Sequence, residues 1–171
     1  MYSDITGTNG FLILNSTATF ADASSVVPSP TSSVFYLHTF DTNNGNGDNH
    51  ICYSFHSVEG YSKIGSYTGN GSTDGTFVHC GFRPAFLLLK DTDTAYNWIL
   101  TDSTRNTSNI PASWDWLYPN LNNAENSPSV FVDYLSNGFK LRSSGADVNG
   151  SGSKMIFMAF AEAPFKSANA R

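Results

Sequence analysis

The side chains that could do chemistry are few in this chain, and their spacing is uninformative for catalysis. Its histidines are His38, His50, His56 and His79. No two of them stand four apart as in a zinc helix, and none lies in a Cys/His run of metal-ligand spacing. His79 and Cys80 are adjacent in a strand-like run, which sends their side chains to opposite faces and argues against a Cys–His nucleophile pair. His56, Ser57 and Glu59 are the residue types of a hydrolytic triad, but no sharp Gly-framed elbow presents the serine. Asp41 to Asp48 has the look of a calcium loop. An EF-hand loop starting at Asp41 would need its bidentate Glu at the twelfth position, and that position is Cys52. Gly69-Asn70-Gly71 reads as a turn, with no helix after it to bind phosphate. No catalytic residue, metal site or cofactor is therefore expected, and the chain reads as a non-enzyme.

One stretch remains as a candidate ligand site: Trp114-Asp115-Trp116-Leu117-Tyr118, in the longest irregular segment, Ser103 to Ser129. Long loops inside compact domains are often functional. Exposed aromatics beside Asp can stack on a sugar ring or anchor a protein interface, so Trp114, Asp115, Trp116 and Tyr118 are the candidate ligand-binding residues. The other reading is that these rings fold back as a plug over the end of the fold. Arg83 and Arg105 read as structural donors to Asp91, Asp93 or Asp102.

The elements that must position these groups are strands. The chain has 171 residues, which fits a single domain spanning 1–171. Charged residues are only 13%, against a usual quarter, while aromatics reach 14% with 13 Phe and 8 Tyr. Polarity is carried by Ser, Thr and Asn, about a third of the chain. That composition predicts an all-β protein, an antiparallel β-sandwich of jelly-roll-like form with long loops. The net charge of −5 and the lack of any basic cluster argue against a nucleic-acid partner. No apolar run approaches the ~20 residues of a membrane-spanning helix, so membrane insertion is not expected. Met1-Tyr2-Ser3-Asp4 lacks the basic start and apolar stretch of a secretory signal. Cys52 and Cys80 are accordingly expected as small buried hydrophobes rather than a disulfide. The Asn-x-Ser/Thr sequences at Asn15, Asn70, Asn106 and Asn149 are expected by chance in such a composition.

Strands are predicted over Phe11–Thr19, Val34–Phe40, His50–Val58, Tyr61–Thr68, Thr76–Phe82, Tyr96–Asp102 and Lys154–Ala161. Ser136-Asn137-Gly138 predicts a hairpin between Val130–Leu135 and Phe139–Ser143. The loop of Gly, Asn, Ser and Asp after Thr68 should reverse the chain, and Arg83-Pro84 should break any ladder. Phe86 to Leu89, apolar on both faces, is the expected centre of the core. An internal repeat is visible: Phe35-x-Leu37, a Gly/Asn loop and Ile51–Phe55 match Phe139-x-Leu141, a Gly/Ser loop and Ile156–Phe160. It predicts two equivalent strand–loop–strand units. Residues 1–49 are taken as N-terminal strands or an arm, with completion of the sandwich favoured.

Four blocks in order then carry a resemblance: Gly60-Tyr61-Ser62-Lys63-Ile64-Gly65-Ser66-Tyr67-Thr68-Gly69-Asn70-Gly71-Ser72; Gly81-Phe82-Arg83-Pro84-Ala85-Phe86; Leu135-Ser136-Asn137-Gly138-Phe139-Lys140-Leu141-Arg142; and Met158-Ala159-Phe160-Ala161-Glu162-Ala163-Pro164-Phe165. Residues 50–171 resemble an uncharacterised domain found at the C-terminal end of tail and tail-fibre virion proteins of tailed bacteriophages. Where that domain usually has Glu-Asn-Pro-Phe, this chain has Glu162-Ala163-Pro164-Phe165. Its members are often longer, fibre-like chains. The resemblance implies a structural protein of the virion, assembled in the host cytoplasm, at the tail or tail fibre and in contact with the host surface. Partners would be other virion proteins, further copies in a homo-oligomer such as a trimer, and a host-surface glycan. A capsid decoration protein on the phage head is the alternative, and a free carbohydrate-binding module, suggested by the aromatic loop, the third reading.

Overall fold

The structure is a computed structural model that describes residues 2–3, 10–22, 31, 33–34, 36–37, 45–105, 115–126 and 131–163. Strands make up 37% and helix 3% of the described residues, so the fold is all-β and sandwich-like, as the composition predicted. Its strands in chain order are β1 (Tyr2–Ser3), β2 (Gly10–Phe11), β3 (Ala21–Asp22), β4 (Ser62–Thr68), β5 (Phe77–His79), β6 (Pro84–Asp91), β7 (Ile99–Asp102), β8 (Val132–Leu135), β9 (Gly138–Leu141) and β10 (Lys154–Ala161). Among the described residues three antiparallel sheets result, ordered β4-β10-β6-β7, β5-β9-β8 and β1-β2-β3. Among the described residues no helix is long and apolar enough to cross a membrane.

The apolar run at Phe86–Leu89 lies in β6, flanked by β10 and β7. Alternation along β6 explains why it is apolar on both faces. Leu87 and Leu89 join Tyr67, Ile99, Met155, Phe157 and Ala159 on the inner face, where they meet Val78, Val132, Tyr134, Phe139 and Leu141 of the three-stranded sheet. Leu88 points the other way, toward Ile156, Trp98, Leu12 and Phe20. Residues 12–20 cover that outer face. Their strand was predicted over Phe11–Thr19, yet only Gly10–Phe11 joins a ladder. The rest is fixed by other groups: Phe20 N donates to Thr92 O (2.9 Å) and Trp98 Nε1 to Ile13 O (3.0 Å). Lys90, on the same outer face, is buried and gives its ammonium to the carbonyls of Asp91 (2.7 Å), Thr17 (3.3 Å) and Thr94 (3.4 Å).

Pro84 does not interrupt the sheet but opens β6. It stands opposite Ala161 at a register shift, a strand's first position, where its missing N–H costs no ladder bond. The polar loop after Thr68 does not fold β4 back on β5. It carries the chain from one sheet to the other, because β5 pairs with β9. Asn149 holds that loop from the end of a short helix, α1 (Ala146–Asn149). Its Oδ1 accepts from Asn70 N (3.0 Å), and its Nδ2 donates to Asn70 Oδ1 (2.9 Å), Ser72 O (2.9 Å) and Ser143 O (2.8 Å). The β8–β9 hairpin forms as predicted, across the two residues Ser136 and Asn137. A Cβ at Gly138 would lie 2.1 Å from Val78 O, so only glycine admits β5 there.

The remaining strand predictions correct as follows. β7 begins at Ile99, since the Trp98 amide goes instead to Asn120 Oδ1 (3.0 Å). Val34, Tyr36 and Leu37 lie outside strands; Phe35, His38, Thr39 and Phe40 fall outside the described residues. His50–Val58 is not a strand, and only Val58 touches a ladder, through one bridge to Ser62. The internal repeat does not correspond to repeated structure. Ile51–Phe55 is unpaired, whereas Ile156–Phe160 is a central strand in a different sheet from Phe139–Leu141. The match reflects a biased composition rather than a common unit.

Candidate interaction surface

Of the predicted ligand residues, Trp114 lies outside the described residues. The others are positioned by the edge of β7. Leu117 and Leu100 exchange N–H···O bonds of 2.9 Å each, and Trp116 and Asn126 exchange a second pair at 3.0 Å. Alternation then sends Trp116 inward. It is 8% exposed and sits edge-to-face on Phe131, centroids 4.8 Å apart, with the Tyr118 ring at 6.3 Å. Tyr118 packs against the core and its hydroxyl accepts from Asn126 Nδ2 (3.3 Å). The Asp115 carbonyl accepts from Thr101 Oγ1 (3.1 Å), and that hydroxyl in turn accepts from Tyr134 Oη (3.3 Å). Burial raises the Tyr134 phenol, which keeps it a neutral donor. Sugar stacking needs an exposed ring face, and Trp116 has none; its place is that of a plug.

Several other chemically capable groups have structural partners. The Ser57 hydroxyl accepts from Ile64 N (3.1 Å) and donates to Ile64 O (3.2 Å) on the outer edge of β4. Burial pushes the Cys80 thiol up to about 12, so it stays a thiol, with His79 on the opposite, exposed face. Cys52 corrects the expectation of burial: it is exposed, and neither cysteine is in a disulfide. Arg83 pairs with Glu162 (3.0 Å) and donates to Tyr134 O (2.8 Å), not to Asp91 or Asp93. Arg105 pairs with Asp102 (2.8 Å), one of the expected carboxylates, and with Glu125. Asp41 to Asn44 lie outside the described residues, and Gly45–Asp48 is a turn closed by Asp48 N on Gly45 O (3.2 Å). Among the described residues, no group of three His, Cys, Asp or Glu is placed to hold a metal ion.

The surface that sequence reasoning missed is Ile51–Phe55. Ile51 is 82% exposed, Tyr53 79% and Phe55 54%. Among the described residues, none of the backbone groups of 51–55 has a hydrogen-bond partner. The hairpin register set by Val58 and Ser62 would bring His56 opposite Ile64. There Ser57 Oγ takes both Ile64 backbone groups, and the chain leaves the edge. Phe55 then rests on Phe160, centroids 5.9 Å apart, and Phe160 also meets Tyr61 (6.0 Å) and Phe86 (5.7 Å). These rings sit on the outer face of the four-stranded sheet. Beside them Ile64, Met158, Leu88 and Leu100 align across its strands as a half-buried apolar row. From Asn49 to Val58 there is no Asp, Glu, Lys or Arg. The alternation Ile51-x-Tyr53-x-Phe55 was legible, and it was read as a strand inside the sandwich.

With this geometry in place, comparison with protein families gives one match, over residues 1–164. The chain belongs to the DUF7483 family. That family is a domain of unknown function, and its description attaches no virion role. The DUF7483 match starts at residue 1, ahead of residue 50 where the resemblance noted above began. No curated protein and no solved structure matches the chain.

An uncharged extended arm with free backbone groups, lying beside clustered aromatics, is suited to strand addition and apolar contact.

Proposed function

We propose that this DUF7483 chain is a non-enzymatic structural component of a tailed-phage virion, at the tail or tail fibre, that joins other chains through the Ile51–Phe55 face. The observation that carries the assembly role is the exposure of Ile51, Tyr53 and Phe55 on an arm without charge or backbone partners. Exposed aromatics in a continuous patch mark interaction sites in soluble proteins. The four sequence blocks supply the virion context. The non-enzymatic reading draws support from the structural use of Ser57, Cys80, Arg83 and Arg105. Host-surface contact at the tail belongs to the same proposal, without Trp116 as a stacking platform.

The test is to locate the chain on the particle by antibody-gold labelling or a virion density map. Density at the tail supports the proposal. Density on the head shell replaces it with the decoration role, and absence from the particle removes the virion role altogether.

A further inference from the structure

We propose that Ile51–Phe55 pairs antiparallel with the same stretch of a second copy of this chain, about a twofold axis through Tyr53. The sequence Ile51-Cys52-Tyr53-Ser54-Phe55 alternates large and small residues symmetrically about its centre. Self-pairing sets Ile51 opposite the second copy's Phe55, Cys52 opposite its Ser54, and Tyr53 opposite itself. Large side chains then meet large ones on one face and small meet small on the other, the self-complementarity an isologous contact requires.

Residues 48–57 contain no helix, turn or bend, and Cys52 Sγ and Ser54 Oγ lie 3.8 Å apart, on one side of the chain. Pairing within the chain is closed off, because Ser57 Oγ holds the Ile64 N–H and C=O that the arm would need on β4. Edge strands normally carry charges that oppose pairing with another copy, and none lies between Asn49 and Val58. A lone two-stranded ribbon is marginal in water. This one has a floor: Phe55 of each copy rests on its own Phe160, beside Tyr61 and Phe86. The pairing makes the homo-oligomer twofold.

The inference rests on reading this face as an assembly surface, not on which particle it serves. Sedimentation velocity on the full chain across a wide concentration range tests it, with Tyr53→Lys placing two cations together on the axis. The expected result is a reversible dimer for the native chain and a monomer for Tyr53→Lys, with circular dichroism unchanged because Tyr53 is exposed. A native chain that stays monomeric, or a dimer that survives Tyr53→Lys, overturns the pairing. Ser54→Cys gives an independent reading. Under mild oxidation it should link Cys52 of one copy to the new thiol of the other, giving a covalent dimer on a non-reducing gel where the native chain gives little; no gain in dimer overturns the register. A monomer would leave the virion role to be judged by particle labelling, and absence from the particle would leave the dimer standing.

Discussion

Ile51–Phe55 and Asp115–Tyr118 each carry aromatic residues two apart, Tyr53 and Phe55 in one, Trp116 and Tyr118 in the other. One projects its rings into solvent, and the other delivers Trp116 to the core. Residue type does not separate them; backbone pairing does. Leu117 is bonded to Leu100 in both directions, which fixes the alternation and turns Trp116 inward. The arm at 51–55 has the same period and no strand paired with its backbone. Alternation determines which residues share a face, and a partner strand determines where that face points.

The largest test of this contrast is a pair of truncations. Trp116→Ala removes a ring packed on Phe131 and Tyr118 and should cost about 3–5 kcal/mol. Tyr53→Ala should stay within about 0.5 kcal/mol of the native chain. Urea unfolding of both, at concentrations below any dimer, checks this. Similar costs at the two sites would mean that Tyr53 is buried by the same chain and that the contrast is false.

Alkaline pH should weaken the pinned side selectively. Burial raises the phenols of Tyr134 and Tyr67, the latter also through the negative charges of Asp147 and Asp91, and burial raises the Cys80 thiol to about 12. At lower pH both folded and unfolded chains hold these protons. As pH climbs past about 9 to 10 the unfolded chain releases them and the folded chain keeps them, so stability falls. Lys90 acts the other way: burial lowers its pKa, so between that value and the ordinary lysine range rising pH favours the folded chain. With three raised acids against one lowered base, the urea midpoint should fall between about pH 8 and about pH 10.5, and Tyr134→Phe should reduce the fall. A midpoint that rises would show that Lys90 dominates.

Most of the sandwich's centre was legible because it is local. Phe86–Leu89 and Met155–Ala161 are continuous apolar runs of strand length, read more readily as strands than as buried helix, and Ser136-Asn137-Gly138 names its own turn. What was illegible depends on contacts distant in sequence. Nothing near Thr68 says that the loop will be pinned by Asn149 rather than fold β4 onto β5. Pro84 looked like a break because its position at the end of a ladder is set by Ala161, 77 residues later. The same holds for the candidate site. The pattern of Ile51–Phe55 was visible, while its exposure follows from the chain leaving β4 at Ser57, whose hydroxyl bonds Ile64 where a strand would.

Thr101→Val is the next step down in size. It removes the donor to the Asp115 carbonyl and an acceptor of Tyr134 Oη while keeping the side chain's shape. A loss of about 1–2 kcal/mol is expected, with faster amide exchange at Leu117 as the loop loosens on β7. No change at Leu117 would show that the Leu100 bonds alone pin the aromatic loop.

Ser57→Ala should have a small energetic effect, and the most local one. Ile64 faces Met158 across β4 and β10, yet its N–H and C=O turn away from that pair to the Ser57 hydroxyl. Removing the hydroxyl leaves both groups to water on an exposed edge, at about 0.5–1 kcal/mol. Amide exchange should therefore quicken at Ile64, while amides inside the β4–β10 ladder keep their protection. The outcome bears directly on why the arm leaves the sheet. If Ile64 stays protected in Ser57→Ala, the backbone of His56 has moved into the register that Val58 and Ser62 begin, and the arm has closed onto β4 of its own chain. Exposure of Ile51, Tyr53 and Phe55 would then hang on one serine, and the variant would also lose whatever association those residues provide.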